Sequence, residues 1–183
     1  LSHDVERIER LITDYSQMLK DEVALSREKM KKINIEPIIQ SVVDEYNNID
    51  KFKKNIKINY INDNKDGYFI NGIENRIEQI VANLLDNSIS FSKTGGQISV
   101  NVSITSNKNI LVRIIDEGQG FKEKDTSKIF KRFYSNRPDK FGEHSGLGLN
   151  IVKNLVELHE GSINAFNREN NLGAIIEINF PKA

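Results

Sequence analysis

Residues Gly72–Ser92 read GIENRIEQIVANLLDNSISFS, and Ile73, Ile77, Ile80, Val81, Leu84, Leu85 and Ser88 fall on one arc at ~100° per residue. The run is an amphipathic helix, and its apolar arc must be covered by the rest of the domain. Asn83 and Asn87 are one turn apart on a shared face, ~80° to 120° from the centre of the stripe. At that edge an amide reaches a ligand while its helix packs the core. The pair alone reads more readily as two solvated side chains or as caps of neighbouring carbonyls.

Downstream, Gln97–Thr105 alternates with Ile98, Val100, Val102 and Ile104 to one side, and Ile110–Asp116 follows as an almost wholly apolar strand. Glu117–Ser145 has little periodicity, contains Gly118, Gly120 and Gly142, and is too long for an ordinary connector. Gly146–His159 returns to helix, with Ile151, Val152, Leu155, Val156 and Leu158 inward and Gly161 as its C-cap. Strands Ser162–Phe166 and Ala174–Phe180 end the chain.

Upstream, Val5, Ile8, Ile12, Tyr15 and Leu19 recur in steps of three and four, the pattern of a coiled-coil seam. The pattern decays in Asp21–Lys32, where a hinge is expected. Ile33–Ile35 reads as a short strand, and Pro37 opens a helix with Ile38/Ile39, Val42/Val43 and Tyr46 inward. Asn55–Ile61 and Gly67–Ile70 read as the two strands of a hairpin. The fold class is α+β: one long helix, then a two-layer sandwich with its helices on one face of a mixed sheet.

Composition narrows the function. Lys and Arg total 26 against 26 Asp and Glu, so no net field attracts nucleic acid or an anionic membrane, and none is expected as a partner. There is no cysteine, which removes disulfides, thiolate nucleophiles and thiolate zinc sites. No apolar run reaches the ~18 to 20 residues that span a bilayer, so direct membrane contact is not expected of these residues. Leu1 in place of Met reads as a piece of a longer chain from which a membrane segment has room to be missing, and the absence of cysteine fits the cytoplasm.

Two further motifs carry chemistry. Asp116-Glu117-Gly118-Gln119-Gly120 ends a buried strand with a carboxylate that can accept from an exocyclic amine, beside glycines that admit a flat ring. It reads equally as a glycine turn capped by Asp. Ser145-Gly146-Leu147-Gly148-Leu149 opens the last helix, where free N–H groups and the dipole favour phosphate oxygens. Neither is a dinucleotide fingerprint or a Walker motif.

Taken together, these runs resemble the cytoplasmic core of bacterial sensor histidine kinases. Asn83-Leu-Leu-Asp-Asn87-Ser resembles the family's asparagine box, and Asp116-Glu-Gly-Gln-Gly120 its first glycine box. Ile129-Phe-Lys-Arg-Phe133-Tyr134 resembles the phenylalanine box, and Gly146-Leu-Gly-Leu149 the second glycine box. The resemblance implies the ATP-binding sandwich shared with Hsp90-type chaperones, type II topoisomerases and mismatch-repair ATPases. It also implies that Asn87 coordinates Mg²⁺ on the triphosphate with Asn83 in support, and that Asp116 selects adenine. Gly118 and Gly120 shape the base pocket, while Gly146, Leu147, Gly148 and Leu149 admit the phosphates. Arg132 or Arg137, in a lid spanning 117–145, contacts them. The implied reaction is γ-phosphoryl transfer from Mg-ATP to a histidine, then to an aspartate of a response regulator. Asp-Asn-Ser-Ile-Ser-Phe-Ser and His-Asp-Val-Glu-Arg-Ile-Glu-Arg-Leu-Ile resemble the ChvG-type sensors of alphaproteobacteria.

His3 is not expected to be the acceptor. Acceptor sites in the resembled family continue to Thr or Asn and then Pro, whereas Glu6-Arg7-Ile8-Glu9-Arg10 follows here. Residues 1–32 therefore resemble the second helix of the dimerisation and phosphotransfer hairpin, with the first absent. Residues 33–183 resemble the ATP-binding domain, of a protein that is a homodimer at full length. Ser90 and Phe91 replace a basic residue and Tyr, and Gly173-Ala174 replaces Gly-Thr. Two rival expectations stand beside the kinase: a nucleotide-binding scaffold, and an anti-sigma-type serine kinase of the same fold. His144 and His159 have no partner at metal spacing, and no transition metal is expected.

Overall fold

A computed structural model describes residues 2–25, 28–50, 52–132, 134, 147–169 and 172–183, with the side chains of 2, 3 and 21–25 excluded. Helix α1 (Ser2–Leu25) carries the seam, and Val5, Ile8, Ile12, Tyr15 and Leu19 are all between 36% and 61% exposed. The described residues leave that apolar edge uncovered.

Strand β1 (Lys31–Asn34) leads into α2 (Ile35–Asn48). Asn34 caps α2, its Oδ1 accepting from Glu36 N at 3.2 Å and from Tyr68 N at 2.9 Å. Pro37 sits in the first turn, where its missing N–H costs nothing.

The expected hairpin does not form. Strand β2 (Lys57–Asn62) pairs in parallel with β4 (Gln97–Ile104), whereas β3 (Phe69–Gly72) pairs antiparallel with β1. Tyr68, fully buried, explains the divergence: its hydroxyl accepts from Asp63 N and Asn64 N, both at 2.8 Å, and lies 3.0 Å from Val102 O. Anchored there, the connection turns away from β2 instead of folding back along it.

Helix α3 (Glu74–Phe91) buries its predicted stripe, including Ile77, Ile80, Val81, Leu84, Leu85 and Ser88. It packs between α2 and α4 (Gly148–Leu158). With β5 (Ile110–Asp116), β6 (Ser162–Asn167) and β7 (Ala174–Phe180), the main sheet runs β2-β4-β5-β7-β6. Alternate residues on β4, β5 and β7 are buried, in the register Val100↔Ile114↔Ile176. The inward side chains meet the three helices, so the sandwich has one core. Ile104, at the strand end, is 36% exposed and falls outside it.

The end of α4 differs from expectation in two details. Leu158 is 38% exposed, because the buried arc is Val152, Leu155 and Val156. The left-handed residue is Glu160 (φ 58), not Gly161; Glu160 N bonds Glu157 O and Gly161 N bonds Val156 O, both at 2.9 Å. This is a Schellman motif with glutamate in the glycine position. Gly161 is needed for another reason: a Cβ there would lie 2.8 Å from Asn179 O.

Much of the long loop's first half is packed. A 3₁₀ turn (Thr126–Phe130) buries Ile129 and Phe130 in the core. Thr126 Oγ1 donates to Ala165 O at 2.6 Å and Asn150 Nδ2 to Phe130 O at 3.0 Å. Asn167 accepts from Phe121 N at 2.6 Å and donates to Phe121 O at 2.9 Å. Gly142 and Phe141 lie outside the described residues.

Candidate functional site

The last turns of α3 and the end of β5 meet at Asp116. The carboxylate is 4% exposed, and its Oδ1 accepts from Gly118 N at 2.9 Å and Ala174 N at 3.2 Å. Burial pushes its carboxyl above the ordinary 3.8, opposed by those two amides, by a hydrogen bond with the Ser88 hydroxyl and by Arg168. A carboxylate fixed in this way has oxygen lone pairs with which it can accept a further hydrogen bond.

Two glycines let the backbone close around it. A Cβ at Gly118 would lie 2.7 Å from Phe91 O, which brings the turn after β5 onto the end of α3. Gly173 (φ +147) runs against Asp116, where a Cβ would lie 2.2 Å from its carbonyl oxygen. Gly120 (φ +75) fits beneath Asn167.

Of the paired amides, Asn87 is buried at 7% exposure and Asn83 is half-buried, the margin expected from the helical arc. Ser90 is turned inward, its Oγ donating to Asn87 O at 2.7 Å. It offers nothing toward a ligand. Asp86, the one carboxylate in the motif, belongs to a different face: Tyr46 Oη of α2 donates to Asp86 Oδ1 at 2.7 Å. Burial and that carboxylate both push the Tyr46 phenol upward.

Helix α4 starts at Gly148, and among the described residues no side chain caps it, so its first N–H groups keep their donor capacity toward them. Among the described residues, a Cβ at Gly148 would meet nothing within 4 Å, so on their side the backbone borders open space. Leu147 is buried and Leu149 packs against the core, which fixes where the helix begins. Arg132 is exposed and already engaged in an interaction. Arg137, Gly146, His144 and Phe133 lie outside the described residues. Sequence reading missed Ser88 and Ala174 as partners of Asp116, because both arrive through the tertiary fold. It also missed Lys54, whose Nζ donates to the carbonyls of Ile89, Ser90 and Ser92.

His159 is structural. Its Nδ1 lies 2.7 Å from Leu155 O and its Nε2 accepts from Ile73 N at 3.2 Å, while burial lowers its pKa below the ordinary 6.5. Among the described residues no group of three or more His, Cys, Asp or Glu could hold a metal ion.

Residues 72–183 match the family of histidine kinase-, DNA gyrase B- and HSP90-like ATPases. The chain belongs to that ATPase family. The matched span takes in α3, Asp116 and α4, and Lys54 lies before it. Sensor protein ChvG of Agrobacterium fabrum is 37% identical over 180 residues, covering 94% of this chain and 30% of its own length. Sensor protein KdpD of Clostridium acetobutylicum is 37% identical over 183 residues, covering 98% of this chain and 19% of its own. Among solved structures, the nucleotide-free catalytic domain of histidine kinase ThkA matches with a TM-score of 0.72 at 26% identity, over 85% of this chain and 97% of that one. The chain thus spans less than a third of the length of these sensor proteins.

Proposed function

We propose that this chain is the ATP-binding catalytic portion of a sensor histidine kinase. It transfers the γ-phosphoryl of ATP to a histidine on another segment, for relay to a response-regulator aspartate. Asp116 carries the assignment: a buried carboxylate, fixed by two amides and a hydroxyl, matches the exocyclic amine of adenine. In this reading residues 1–32 are the second helix of the dimerisation and phosphotransfer hairpin, through which the full-length protein is a homodimer. Residues 33–183 are the ATP-binding domain, with a lid at 117–145, and the parent is an inner-membrane sensor. Among the described residues no helix is long and apolar enough to cross a membrane.

The residues fit Mg-ATP. Asn87, with Asn83 beside it, offers amide oxygen to a cation, and the uncapped start of α4 beside the open space at Gly148 suits phosphate oxygens. Mg²⁺, when bound, supplies charge neutralisation on the triphosphate; such ions are held mostly by phosphates and one or two protein ligands. The chain's own residues orient. Asp116 sets the base, the Gly146–Leu149 backbone receives phosphates, and Arg132 or Arg137 adds positive charge. The nucleophile is the acceptor histidine, whose ring nitrogen forms the bond to phosphorus as the bond to ADP breaks; the residues of this chain act by positioning and charge neutralisation.

The resembled ATPases that hydrolyse ATP carry a carboxylate one turn before the metal-binding Asn, where it activates water; here that position is Asn83, an amide, and Asp86 is bonded to Tyr46. This favours an acceptor side chain over water. The scaffold reading draws on Ser90, whose inward hydroxyl leaves that position without a polar group for the ligand.

Calorimetric titration of a non-hydrolysable ATP analogue, with and without Mg²⁺, tests the pocket. Wild type binds, Asp116→Asn loses adenine preference and Asn87→Ala loses the Mg²⁺ dependence. No binding by folded wild type would reject the assignment. With a segment carrying the acceptor histidine added, an acid-labile phosphoryl label supports the kinase; an acid-stable label indicates a serine kinase, and no label indicates the scaffold.

A further inference from the structure

Lys54 lies between α2 and β2 in the run Phe52-Lys53-Lys54-Asn55. The structure buries it. At 9% exposure, its Nζ donates to Ile89 O at 2.8 Å, Ser90 O at 2.9 Å and Ser92 O at 2.8 Å. Three N–H donors meet three carbonyls at the C-terminal end of α3, where a helix has orphan acceptors and the negative end of its dipole.

The loop is shaped to deliver that ammonium. Lys53 (φ 52) and Asn55 (φ 50) flank Lys54 in the left-handed region, which side chains with a Cβ rarely adopt. Asp50 fastens the turn: Oδ1 accepts from Lys54 N at 2.9 Å, Oδ2 from Asn55 N at 3.1 Å, and its carbonyl from Lys53 N at 3.0 Å. Lys54 O accepts from Gly95 N at 2.8 Å, tying the loop to the connection beyond α3. Local strain persists only where surroundings over-determine it, and it concentrates at functional sites.

The helix end that Lys54 holds also supports the carboxylate pocket. Phe91 O, between the carbonyls of Ser90 and Ser92, is the atom that a Cβ at Gly118 would approach to 2.7 Å. Ser92 Oγ donates to Ser88 O at 2.8 Å, and the Ser88 hydroxyl bonds Asp116. A continuous path of contacts therefore runs from the ammonium through the last turn of α3 to Asp116.

We propose that Lys54 is a positioning residue for the nucleotide pocket: by holding the end of α3 it sets the Asp116–Gly118 turn and hence the choice of purine. The purine part rests on the reading of Asp116 as the adenine contact. Without the ammonium, three carbonyls lose a charged donor, Ile89 O retaining the bond from Ser92 N at 3.2 Å; the last turn of α3 loosens, and Gly118 loses the surface it closes on.

Amide hydrogen exchange of the ligand-free protein, measured for Lys54→Met, Lys54→Arg and wild type, tests the first part. In Lys54→Met the Gly118 amide exchanges about tenfold faster than the change in global stability accounts for, the loss of one charge-assisted hydrogen bond's worth of restraint. Core amides of β5 and β7 report the global change. Lys54→Arg, which keeps the charge on a planar fork, falls between the two. Gly118 exchange that only tracks the core amides overturns the proposal, leaving Lys54 a structural cap.

Calorimetry with ATP and GTP analogues on the folded variants tests the second part. The preference for adenine falls about tenfold in Lys54→Met. A loosened Gly118 with unchanged preference overturns the link to purine choice. If wild type binds neither analogue, the adenine assignment of Asp116 and the purine part fall together, and Gly118 exchange still decides whether Lys54 positions the turn.

Discussion

The Nε2 atom of His159, at the end of α4, accepts a hydrogen bond from the backbone N–H of Ile73, the residue before α3, at 3.2 Å. Nδ1 faces Leu155 O at 2.7 Å, so the neutral tautomer with hydrogen on Nδ1 satisfies both contacts. Protonation would set a second N–H against the Ile73 donor. Burial already holds the imidazole below the ordinary 6.5.

A lowered folded pKa means that the unfolded chain binds the proton first as pH falls. The cost of His159 is therefore absent above the unfolded value of 6.5 and grows as pH drops through it toward the lower folded value. Thermal midpoints of wild type fall on acidification between about pH 7 and 5.5, and those of His159→Gln fall less. At pH 7.5 the variant is less stable by ~1 to 3 kcal/mol, since the Ile73 and Leu155 groups lose their shared partner. Parallel pH profiles for the two proteins would contradict this.

Asp116 carries the opposite sign. Its raised pKa means that folding penalises the ionised form: stability falls as pH rises from the unfolded 3.8 through the folded value, and the penalty stays constant above it. Asp116→Asn keeps an oxygen for Gly118 N and Ala174 N without the charge. At pH 7.5 the ligand-free variant melts at or above the wild-type temperature, while its affinity for an adenine nucleotide drops about tenfold or more. A strong loss of stability with binding retained would reverse the assigned role.

Gly173 and Gly148 separate folding from binding. Gly173→Ala places a Cβ 2.2 Å from Asp116 O in a left-handed backbone, and it destabilises by ~2 kcal/mol or more in urea titration. Gly148→Ala meets no atom of the described residues, so the ligand-free midpoint stays within about 0.5 kcal/mol of wild type. Its affinity for the triphosphate falls while that for adenosine does not. Equal loss for both ligands would mean that open space at Gly148 is unrelated to phosphate.

Tyr46→Phe removes the donor to Asp86 Oδ1 and to Ala82 O, both partly buried. Chemical denaturation gives a loss of ~1 to 2 kcal/mol. Nucleotide affinity of the folded variant stays at the wild-type value, because this contact faces α2. A drop in affinity without loss of stability would place Asp86 in the site.

How much was legible depended on the range of the interactions involved. Strand β7 was bounded as Ala174–Phe180, and α3 within two residues at its start and one at its end, because alternation and the 3.6-residue period are written in neighbouring side chains. The β2–β3 hairpin was misread because pairing is non-local: Ile58 faces Ile98 and Ile70 faces Ile33, neither within reach of a short turn. Glu160 in the left-handed cap position escaped notice beside Gly161, since the glycine signal usually marks that conformation.

For the site, the sequence by itself determined the chemical types and their order: two amides one turn apart, a carboxylate ending a buried strand, and glycines opening a helix. Helical and strand periodicity project those residues without reference to the rest of the chain. Only the tertiary structure decided what each one meets. Asp116 is held by Gly118, Ala174 and Ser88, Asp86 is taken by Tyr46, and a lysine from a basic loop is buried on the end of α3. Hydrogen bonds in a dehydrated site depend on sub-ångström approach between elements far apart in sequence, and no local pattern encodes that distance.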